Sequence, residues 1–299
     1  MGCFQFINYC RNPNIHWQLR ISHANPNRIT IYFATSLVFV LIPGCKSDLP
    51  QTLHHKPLCI GHGGMGIKST KPLNGKSSIL ECIKTGADGV EIDIQLSADN
   101  VLYAYHDADL STSTNGTGNI HSRRSDEIDQ LHYTGLWIQK SNIARLDSIA
   151  EWLSDFPEAQ ITLDIKLYSQ QPHQTYLQEF ARSLNNFLNN HSTKRIIFVE
   201  SQDTTFLNTL RLLSPNTPTY YYASVFKEGW EAITKFNYTG LTMDFENISI
   251  HEINQLQAAG YKISVWNVQN GVQNSKAIDM HPDGIQTDEL KDLLKKVKS

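Results

Sequence analysis

Short runs of apolar and β-branched residues alternate with amphipathic stretches along the chain from Leu58 onward. This alternation is typical of parallel strands joined by helical crossovers. Eight strands are predicted, which is the number that closes a (β/α)8 barrel, or TIM barrel, of the α/β class. The predicted strands cover residues 58–61, 89–96, 161–165, 196–199, 219–222, 240–243, 262–266 and 284–287. The helices between them are predicted to begin near Ser77, Leu146, Gln174, Thr204, Lys227, Ser249, Val272 and Glu289.

The second predicted strand is followed by an additional extended segment. Residues 97–100 indicate a turn, and residues 101–105 would form the second arm of a hairpin. Residues 111–118, rich in Ser, Thr, Asn and Gly, indicate an irregular loop over the same face. Loops at the carboxyl ends of barrel strands are where such enzymes hold their reactive groups. Polar residues at strand ends are therefore the candidates for function.

The beginning of the chain has a different pattern. No acidic residue precedes Asp48, and three arginines precede an apolar run over residues 29–42. This is the layout of a secretory signal, and the run is shorter than the roughly 20 residues that a spanning helix needs. Gly44 is a small residue directly before Cys45, as at the cleavage and lipidation site of bacterial lipoproteins. Cys45 is therefore the predicted lipidation site, with a buried strand or a plain membrane anchor as the alternative.

The sequence accordingly divides into a lipoprotein-type signal segment (1–44), a short tether (45–57) and one barrel domain (58–299). Its content of 40% hydrophobic and 18% charged residues is ordinary for a soluble globular domain. The net charge of −3 and the dispersed Lys and Arg residues argue against a nucleic-acid partner. Two of the five cysteines, Cys59 and Cys82, fall in the barrel domain. They are predicted to be buried thiols, although they could pair in an oxidising compartment.

Two carboxylates share one face of the second predicted strand. Glu91 and Asp93 are two residues apart, so both side chains project to the same side, and Val90 and Ile92 project to the other. Inside a barrel, two unpaired carboxylates are costly unless a cation neutralises them. Oxygen ligands suit Mg²⁺ or Ca²⁺. One hard divalent cation is therefore predicted, and two surface acids on a solvated edge strand are the alternative.

The third predicted strand repeats this spacing with opposite charges. Asp164 and Lys166 lie two residues apart, and both would face the barrel mouth. Asp164 would complete the metal site. The ammonium of Lys166 could neutralise a phosphate oxygen as charge develops on it. The alternative is an internal salt bridge.

Two histidines are predicted at the rim of the barrel. His62 follows the first strand, and His106 follows the hairpin. Imidazoles have intrinsic pKa values near neutrality, so two of them can divide general-base and general-acid roles in phosphodiester cleavage. A structural role is the alternative for either one, but their place beside an acidic cluster favours catalysis.

The chain from Leu58 to Leu290 resembles the glycerophosphodiester phosphodiesterase family. Residues 86–96, followed by Tyr105-His106-Asp107, carry the strongest match and, with His62, reproduce the family's order of His, Glu-x-Asp and His. Three later stretches are similar to the family's Glu-x-Lys, Trp-Thr-Val and closing strands: residues 163–166, 265–268 and 283–288.

This resemblance implies a (β/α)8 barrel of the phospholipase-C-like phosphodiesterase type, with one divalent cation and an acid/base pair of histidines. It implies catalytic His62 and His106, metal ligands Glu91, Asp93 and Asp164, and substrate contacts from Lys166 and Trp266.

The chain departs from the family pattern at three places. The family usually has Arg after its first His, where this chain has Gly63. A Pro-Glu-Asn-Thr segment is expected near residues 73–77, and its acid is missing. Asp164 replaces a Glu, which is one methylene longer.

The expected activity is hydrolysis of small glycerophosphodiesters to an alcohol and glycerol 3-phosphate. The signal segment implies a bacterial cell envelope location, either lipid-anchored to the membrane or periplasmic. Two alternatives are a barrel phospholipase or lysophospholipase D that acts on lipids, and a non-catalytic lipoprotein that binds phosphate headgroups.

Overall fold

The structure, a computed structural model, describes residues 56–135, 141–168, 174–191 and 195–298. The chain divides into two units, Met1–Gln51 and Thr52–Ser299, and the described residues all belong to the second. The predicted signal segment, Cys45 and most of the predicted tether lie outside the described residues. Among the residues that are described, no helix is both long enough and apolar enough to cross a membrane.

Ten strands are found in the described ranges, and eight of them form a closed parallel barrel. Closure follows because β1 pairs with both β2 and β10. The barrel order is β1-β2-β5-β6-β7-β8-β9-β10, and the remaining two strands are antiparallel. The strands are β1 (Leu58–Gly61), β2 (Gly89–Leu96), β3 (Leu102–Ala104), β4 (Ala144–Arg145), β5 (Gln160–Ile165), β6 (Ile197–Ser201), β7 (Thr219–Ala223), β8 (Gly240–Asp244), β9 (Lys262–Val268) and β10 (Gly284–Thr287). The predicted fold class is confirmed.

Helices connect the barrel strands, and each predicted start agrees with the observed one to within one residue. Two of these starts have the expected side-chain caps: Asp203 accepts the N–H of Phe206, and Ser249 accepts the N–H of Glu252. The described helices are α1 (Lys76–Lys84), α2 (Ser125–Ile128), α3 (Leu146–Trp152), α4 (Gln174–His191), α5 (Thr204–Leu213), α6 (Phe226–Phe236), α7 (Ile250–Ala258), α8 (Gly271–Asp279) and α9 (Leu290–Lys298).

The main hydrophobic core lies between the strands and the surrounding helices. Ile92, whose side chain points away from the barrel axis, is fully buried there. Cys59 on β1 and Cys82 on α1 are both buried free thiols, so the prediction of two buried thiols is confirmed and the disulfide alternative is wrong.

The predicted hairpin is also confirmed. β3 pairs antiparallel with β2, and the turn between them includes Asn100, whose φ is 65°. β4 extends this small sheet on its far side. A second, smaller core that includes Tyr103 and Tyr105 packs the hairpin against the following loops. The hairpin therefore forms a firm support for His106, which comes directly after it.

Candidate active site

Three carboxylates meet inside the barrel because β2 and β5 are parallel and in register. Asp93 is the register partner of Asp164. Glu91 lies two residues before Asp93, so its side chain points to the same inward face of β2. One oxygen from each carboxylate lies within 4.8 Å of the oxygens from the other two. Glu91 and Asp93 are only 2% and 1% exposed. The alternative of two surface acids on a solvated strand is therefore wrong.

Lys166 provides a positive charge beside these carboxylates. Its ammonium nitrogen lies 2.7 Å from Oδ2 of Asp164 and 3.1 Å from Oδ1 of Asp93. Burial by itself would lower the pKa of Lys166, but the two carboxylates outweigh burial and raise it. The internal salt bridge is thus present, and the side chain also lines the cavity described below. Its predicted contact with the substrate stays a prediction.

The three acids differ in their electrostatic environment. Burial, followed by the charge of Asp93, raises the pKa of Glu91 well above its usual value. Burial also raises the pKa of Asp164 despite the attraction of Lys166. For Asp93, the charges of Lys166 and the two histidines outweigh burial and lower the pKa. One ammonium therefore does not compensate three buried carboxylates, and this all-oxygen donor set fits a divalent cation such as Mg²⁺ or Ca²⁺.

Backbone and amide groups hold the carboxylates in position. The side-chain amide of Asn74 donates to Oδ2 of Asp93 over 2.8 Å, and its carbonyl accepts the backbone N–H of Asp93 over 3.1 Å. The N–H of Gly63 donates to Oε2 of Glu91 over 2.9 Å. Asn74 is fully buried and has a φ of 62°. Sequence reasoning noted the segment that contains Asn74 but gave this residue no role.

Two of the departures from the family pattern contact each other. Gly63 stands where the family usually has Arg, and Leu73 begins the stretch, residues 73–77, in which the acid of the expected Pro-Glu-Asn-Thr segment is missing. Gly63 has a φ of +52°, and a Cβ atom added to it would lie 2.7 Å from Cδ2 of Leu73. A side chain at position 63 would therefore meet Leu73, and the left-handed φ also favours glycine there.

The carboxylate of Asp288, which directly follows β10, holds His62 in position. Nδ1 of His62 donates to Oδ1 of Asp288 over 2.8 Å, and its Nε2 lies 4.0 Å from Oε2 of Glu91. Burial would lower the pKa of His62, but the hydrogen bond to Asp288 and the charge of Glu91 outweigh it and raise the pKa to about 9. The Nε2 atom therefore faces the acidic centre in a fixed orientation.

The next residue in the chain, Asp107, orients His106 in a similar way. Nδ1 of His106 lies 3.0 Å from Oδ1 of Asp107, and Oδ2 of Asp107 accepts a hydrogen bond of 2.5 Å from the hydroxyl of Ser113. Ser113 lies in the predicted irregular loop. The loop after the hairpin therefore connects to His106 through one carboxylate.

A cavity of about 710 Å³ lies over this centre. Six of the seven predicted site residues of the barrel domain line it: His62, Glu91, His106, Asp164, Lys166 and Trp266. Trp266 lies in its wall beside Tyr222, with ring centroids 5.4 Å apart. Asp93 lies beneath the cavity, in contact with Lys166. The predicted lipidation site, Cys45, lies outside the described residues.

Glu200 is a further acid of this cavity that sequence reasoning missed. It is the register partner of Asp164 on β6 and is 2% exposed. Thr242 donates to it over 2.6 Å, and Gln286 donates over 3.1 Å. Burial and the charge of Asp164 raise its pKa to about 8 despite these hydrogen bonds.

Asp288 and Glu200 had a common signal in the sequence, because both lie at the carboxyl end of a predicted strand. Asp288 follows β10 directly, and Glu200 follows the predicted strand 196–199. The strand end alone did not show which neighbouring side chain each would contact.

Comparison with known proteins agrees with this geometry. Residues 66–292 match the model of the glycerophosphoryl diester phosphodiesterase family. A glycerophosphodiester phosphodiesterase from Caldanaerobacter subterraneus subsp. tengcongensis is 22% identical over 244 residues, which cover 81% of this chain and 98% of that protein.

Solved structures show the same fold. A phosphodiesterase of Oleispira antarctica, in complex with the product sn-glycerol-3-phosphate, superposes with a TM-score of 0.73 and 22% identity over 82% of this chain and 98% of that one. A glycerophosphodiester phosphodiesterase of Thermotoga maritima gives a TM-score of 0.64 and 21% identity over 81% and 99%. Because the family model matches most of the barrel, this chain belongs to the glycerophosphoryl diester phosphodiesterase family, a family of enzymes.

Proposed function

We propose that the protein hydrolyses a glycerophosphodiester to an alcohol and glycerol 3-phosphate, and that this reaction depends on one divalent cation, Mg²⁺ or Ca²⁺. The observation that carries the proposal is the meeting of three carboxylates, one ammonium and two histidines at a single cavity. A binding module has no need of two oriented histidines beside an acidic cluster. The alternative of a non-catalytic headgroup-binding lipoprotein is therefore disfavoured.

Glu91, Asp93 and Asp164 would hold the cation. Their oxygens are close together, and the single ammonium of Lys166 leaves their charge uncompensated. A bound cation would supply Lewis-acid stabilisation of the negative charge that develops on the phosphoryl oxygens. Asn74 and the N–H of Gly63 keep Asp93 and Glu91 oriented.

His62 and His106 would act as the acid/base pair. One imidazole accepts the proton of the nucleophile, which is water or a substrate hydroxyl that forms a cyclic phosphate, and the other donates a proton to the leaving oxygen. Their partners, Asp288 and Asp107, each lie on the Nδ1 side, so the Nε2 atoms are left for the reaction. Lys166 and Trp266 would contact the phosphate and the organic part of the substrate.

The direct test is the release of glycerol 3-phosphate from glycerophosphocholine by the purified full-length protein. We expect turnover to stop in excess EDTA and to return when Mg²⁺ or Ca²⁺ is added, because the uncompensated carboxylates then repel the phosphate. Glu91→Gln should remain inactive after cation is added. Glu246→Gln, which changes an exposed acid outside the cavity, is the matched control.

Each part of the proposal can fail separately. Full turnover in EDTA would reject the cation requirement. A folded protein that releases no glycerol 3-phosphate from several glycerophosphodiesters, with either cation, would reject the activity. Lysophospholipids are assayed alongside, since their preferential cleavage would favour the lipid-directed alternative.

We also propose that the protein is a lipoprotein of a bacterial cell envelope, attached to the membrane through Cys45. The charge distribution and apolar run of residues 1–44 support this proposal. Cys45→Ser should move the protein from the membrane fraction to the soluble fraction. Cys10→Ser, which changes a cysteine inside the predicted signal segment, should not. Unchanged membrane partitioning of the Cys45 variant would reject the lipid anchor.

A further inference from the structure

We propose that the alcohol half of the substrate carries a positive charge, as a primary or quaternary ammonium group, and that it binds between Asp203 and the ring pair Tyr222–Trp266. This inference rests on the proposed function and deepens it, because it names the class of alcohol. It follows from the charge and the rings that the ends of β6, β7 and β9 contribute to the cavity wall.

The cavity has more negative than positive charge. Its lysine is Lys166, and its carboxylates are Glu91, Asp164, Glu200, Asp203 and Asp288. Asp164 is paired with Lys166, and Asp288 with His62. In the described part of the chain, no cationic side chain lies within ion-pair distance of Asp203. Asp203, beyond the carboxyl end of β6, is thus a carboxylate of the cavity wall without a cationic partner among the described residues.

Asp203 is accessible from the cavity. It lies just beyond the carboxyl end of β6, is half-buried and lines the cavity. One of its oxygens accepts the N–H of Phe206 at the start of α5 over 2.8 Å. The carboxylate is therefore held in place by the helix end. An ammonium group in the cavity would gain an attraction here that a neutral or anionic group would not gain.

Aromatic rings form the neighbouring wall. The rings of Tyr222 and Trp266 are 5.4 Å apart and inclined by 37°, and Tyr168 is a third ring of the same cavity. Ring faces attract an ammonium or quaternary ammonium group within about 6 Å of the centroid. The uncharged diol of a glycerol group gains no such attraction. The charged alcohol is therefore assigned to this wall, with the phosphate beside Lys166 and the cation that Glu91, Asp93 and Asp164 would hold.

The test compares kcat/KM of the full-length, cation-loaded protein for four substrates. These are glycerophosphocholine, glycerophosphoethanolamine, glycerophosphoglycerol and glycerophosphoinositol. We expect the two cationic substrates to exceed the two uncharged-alcohol substrates by about tenfold, a difference within the range of cation–π and surface charge effects. The advantage should shrink as the salt concentration rises, because exposed charges are screened.

Single substitutions test which side chains of the cavity cause the preference for a cationic alcohol. Asp203→Asn keeps a side chain that caps a helix as well as Asp does. It should reduce the ratio of kcat/KM for glycerophosphocholine to that for glycerophosphoglycerol by roughly 2- to 10-fold. Tyr222→Leu should reduce the same ratio, while Tyr222→Phe should keep it. Asp126→Asn, which changes an acid whose side chain is 76% exposed, is the matched control and should leave the ratio at the wild-type value.

The outcomes separate this inference from the proposed function. Equal kcat/KM for all four substrates, or an unchanged ratio in Asp203→Asn, would overturn the charge preference and leave the phosphodiesterase activity intact. A higher kcat/KM for glycerophosphoinositol would also overturn it. No turnover of any of the four would instead overturn the proposed function.

Discussion

At the scale of single residues, Gly63 shows how backbone conformation and packing act together beside the metal ligands. Its φ of +52° is in the left-handed region, and Leu73 fills the space of a side chain. Gly63→Ala should lower the free energy of unfolding by roughly 1–3 kcal/mol, because a left-handed alanine is strained and its Cβ would meet Cδ2 of Leu73. Urea denaturation of the purified variant measures this loss.

A second substitution separates the two causes. In Leu73→Ala the space beside Gly63 opens, so adding Gly63→Ala should cost less than it does in the wild type. The difference is the coupling energy of a double-mutant cycle. Gly260→Ala is the control, because Gly260 has a φ of +85° but no atom within 4 Å of its added Cβ. If the effects of the two substitutions on the free energy of unfolding are additive, the packing of Leu73 does not contribute to the requirement for glycine at position 63.

The two histidines give a prediction about catalysis rather than stability. His62→Ala and His106→Ala should each lower kcat by roughly 10² to 10⁴-fold, which is the usual contribution of positioned proton transfer. The cation affinity should stay close to the wild-type value in both variants. The melting temperature should do so in His106→Ala, whereas His62→Ala should lower it because the buried Asp288 loses its histidine partner, so kcat is compared on folded protein. His251→Ala, an exposed position on α7, is the control. A kcat near the wild-type value in either active-site variant would remove that histidine from the mechanism.

At the scale of elements, the loop after the β2–β3 hairpin orients His106 from a distance. Ser113 donates to Asp107, and Asp107 accepts from His106. Ser113→Ala should lower kcat by roughly 2- to 10-fold, which corresponds to the loss of one net hydrogen bond. The melting temperature should change little, since the half-buried Ser113 lies in a loop near the surface.

Two variants distinguish positioning from a general effect on the loop. Ser113→Thr retains the hydroxyl and should restore kcat. Ser111→Ala changes an exposed serine of the same loop and should leave kcat at the wild-type value. A loss of activity in Ser111→Ala equal to that in Ser113→Ala would show that the loop responds as a whole, without a specific role for the bond to Asp107.

At the scale of the whole molecule, the buried charges predict how stability depends on pH in the absence of cation. The pKa of His62 is raised from 6.5 to about 9, and that of Glu200 is raised from 4.5 to about 8. Glu91 and Asp164 are shifted in the same direction. A group with a raised pKa binds its proton more tightly in the folded state. Its contribution is complete below the unfolded pKa and is lost as the pH rises through the folded pKa.

The free energy of unfolding in EDTA should therefore fall as the pH rises from about 5 to about 9. The lowered pKa of Asp93 acts in the opposite direction only near its unfolded value of 3.8, below this window. Glu200→Gln should make the decline shallower, and the exposed control Glu246→Gln should not. Adding Ca²⁺ or Mg²⁺ should oppose the decline, because a cation binds the ionised carboxylates. Stability that is constant or rises with pH in EDTA would contradict the assigned shifts.

The sequence by itself determined the elements and the chemistry that they carry. Strand positions follow from short apolar runs, and the side-chain alternation within a strand places Glu91 and Asp93 on one face. These are local properties, since strand periodicity and helix caps depend on nearby residues. This is why the barrel, the buried thiols Cys59 and Cys82, and six of the residues that line the cavity could be predicted from the sequence, while Glu200, Asp203 and Asp288 were not.

Only the tertiary structure decided which of these groups contact each other. Asp288 reaches His62 across 226 positions of sequence, and Glu200 lies beside Asp164 because β6 pairs in register with β5. The contact between Gly63 and Leu73 likewise depends on how two loops pack. Such contacts are set by barrel closure and strand register, which combine many weak preferences along the whole chain. The local sequence around any one of these residues therefore does not specify its partner.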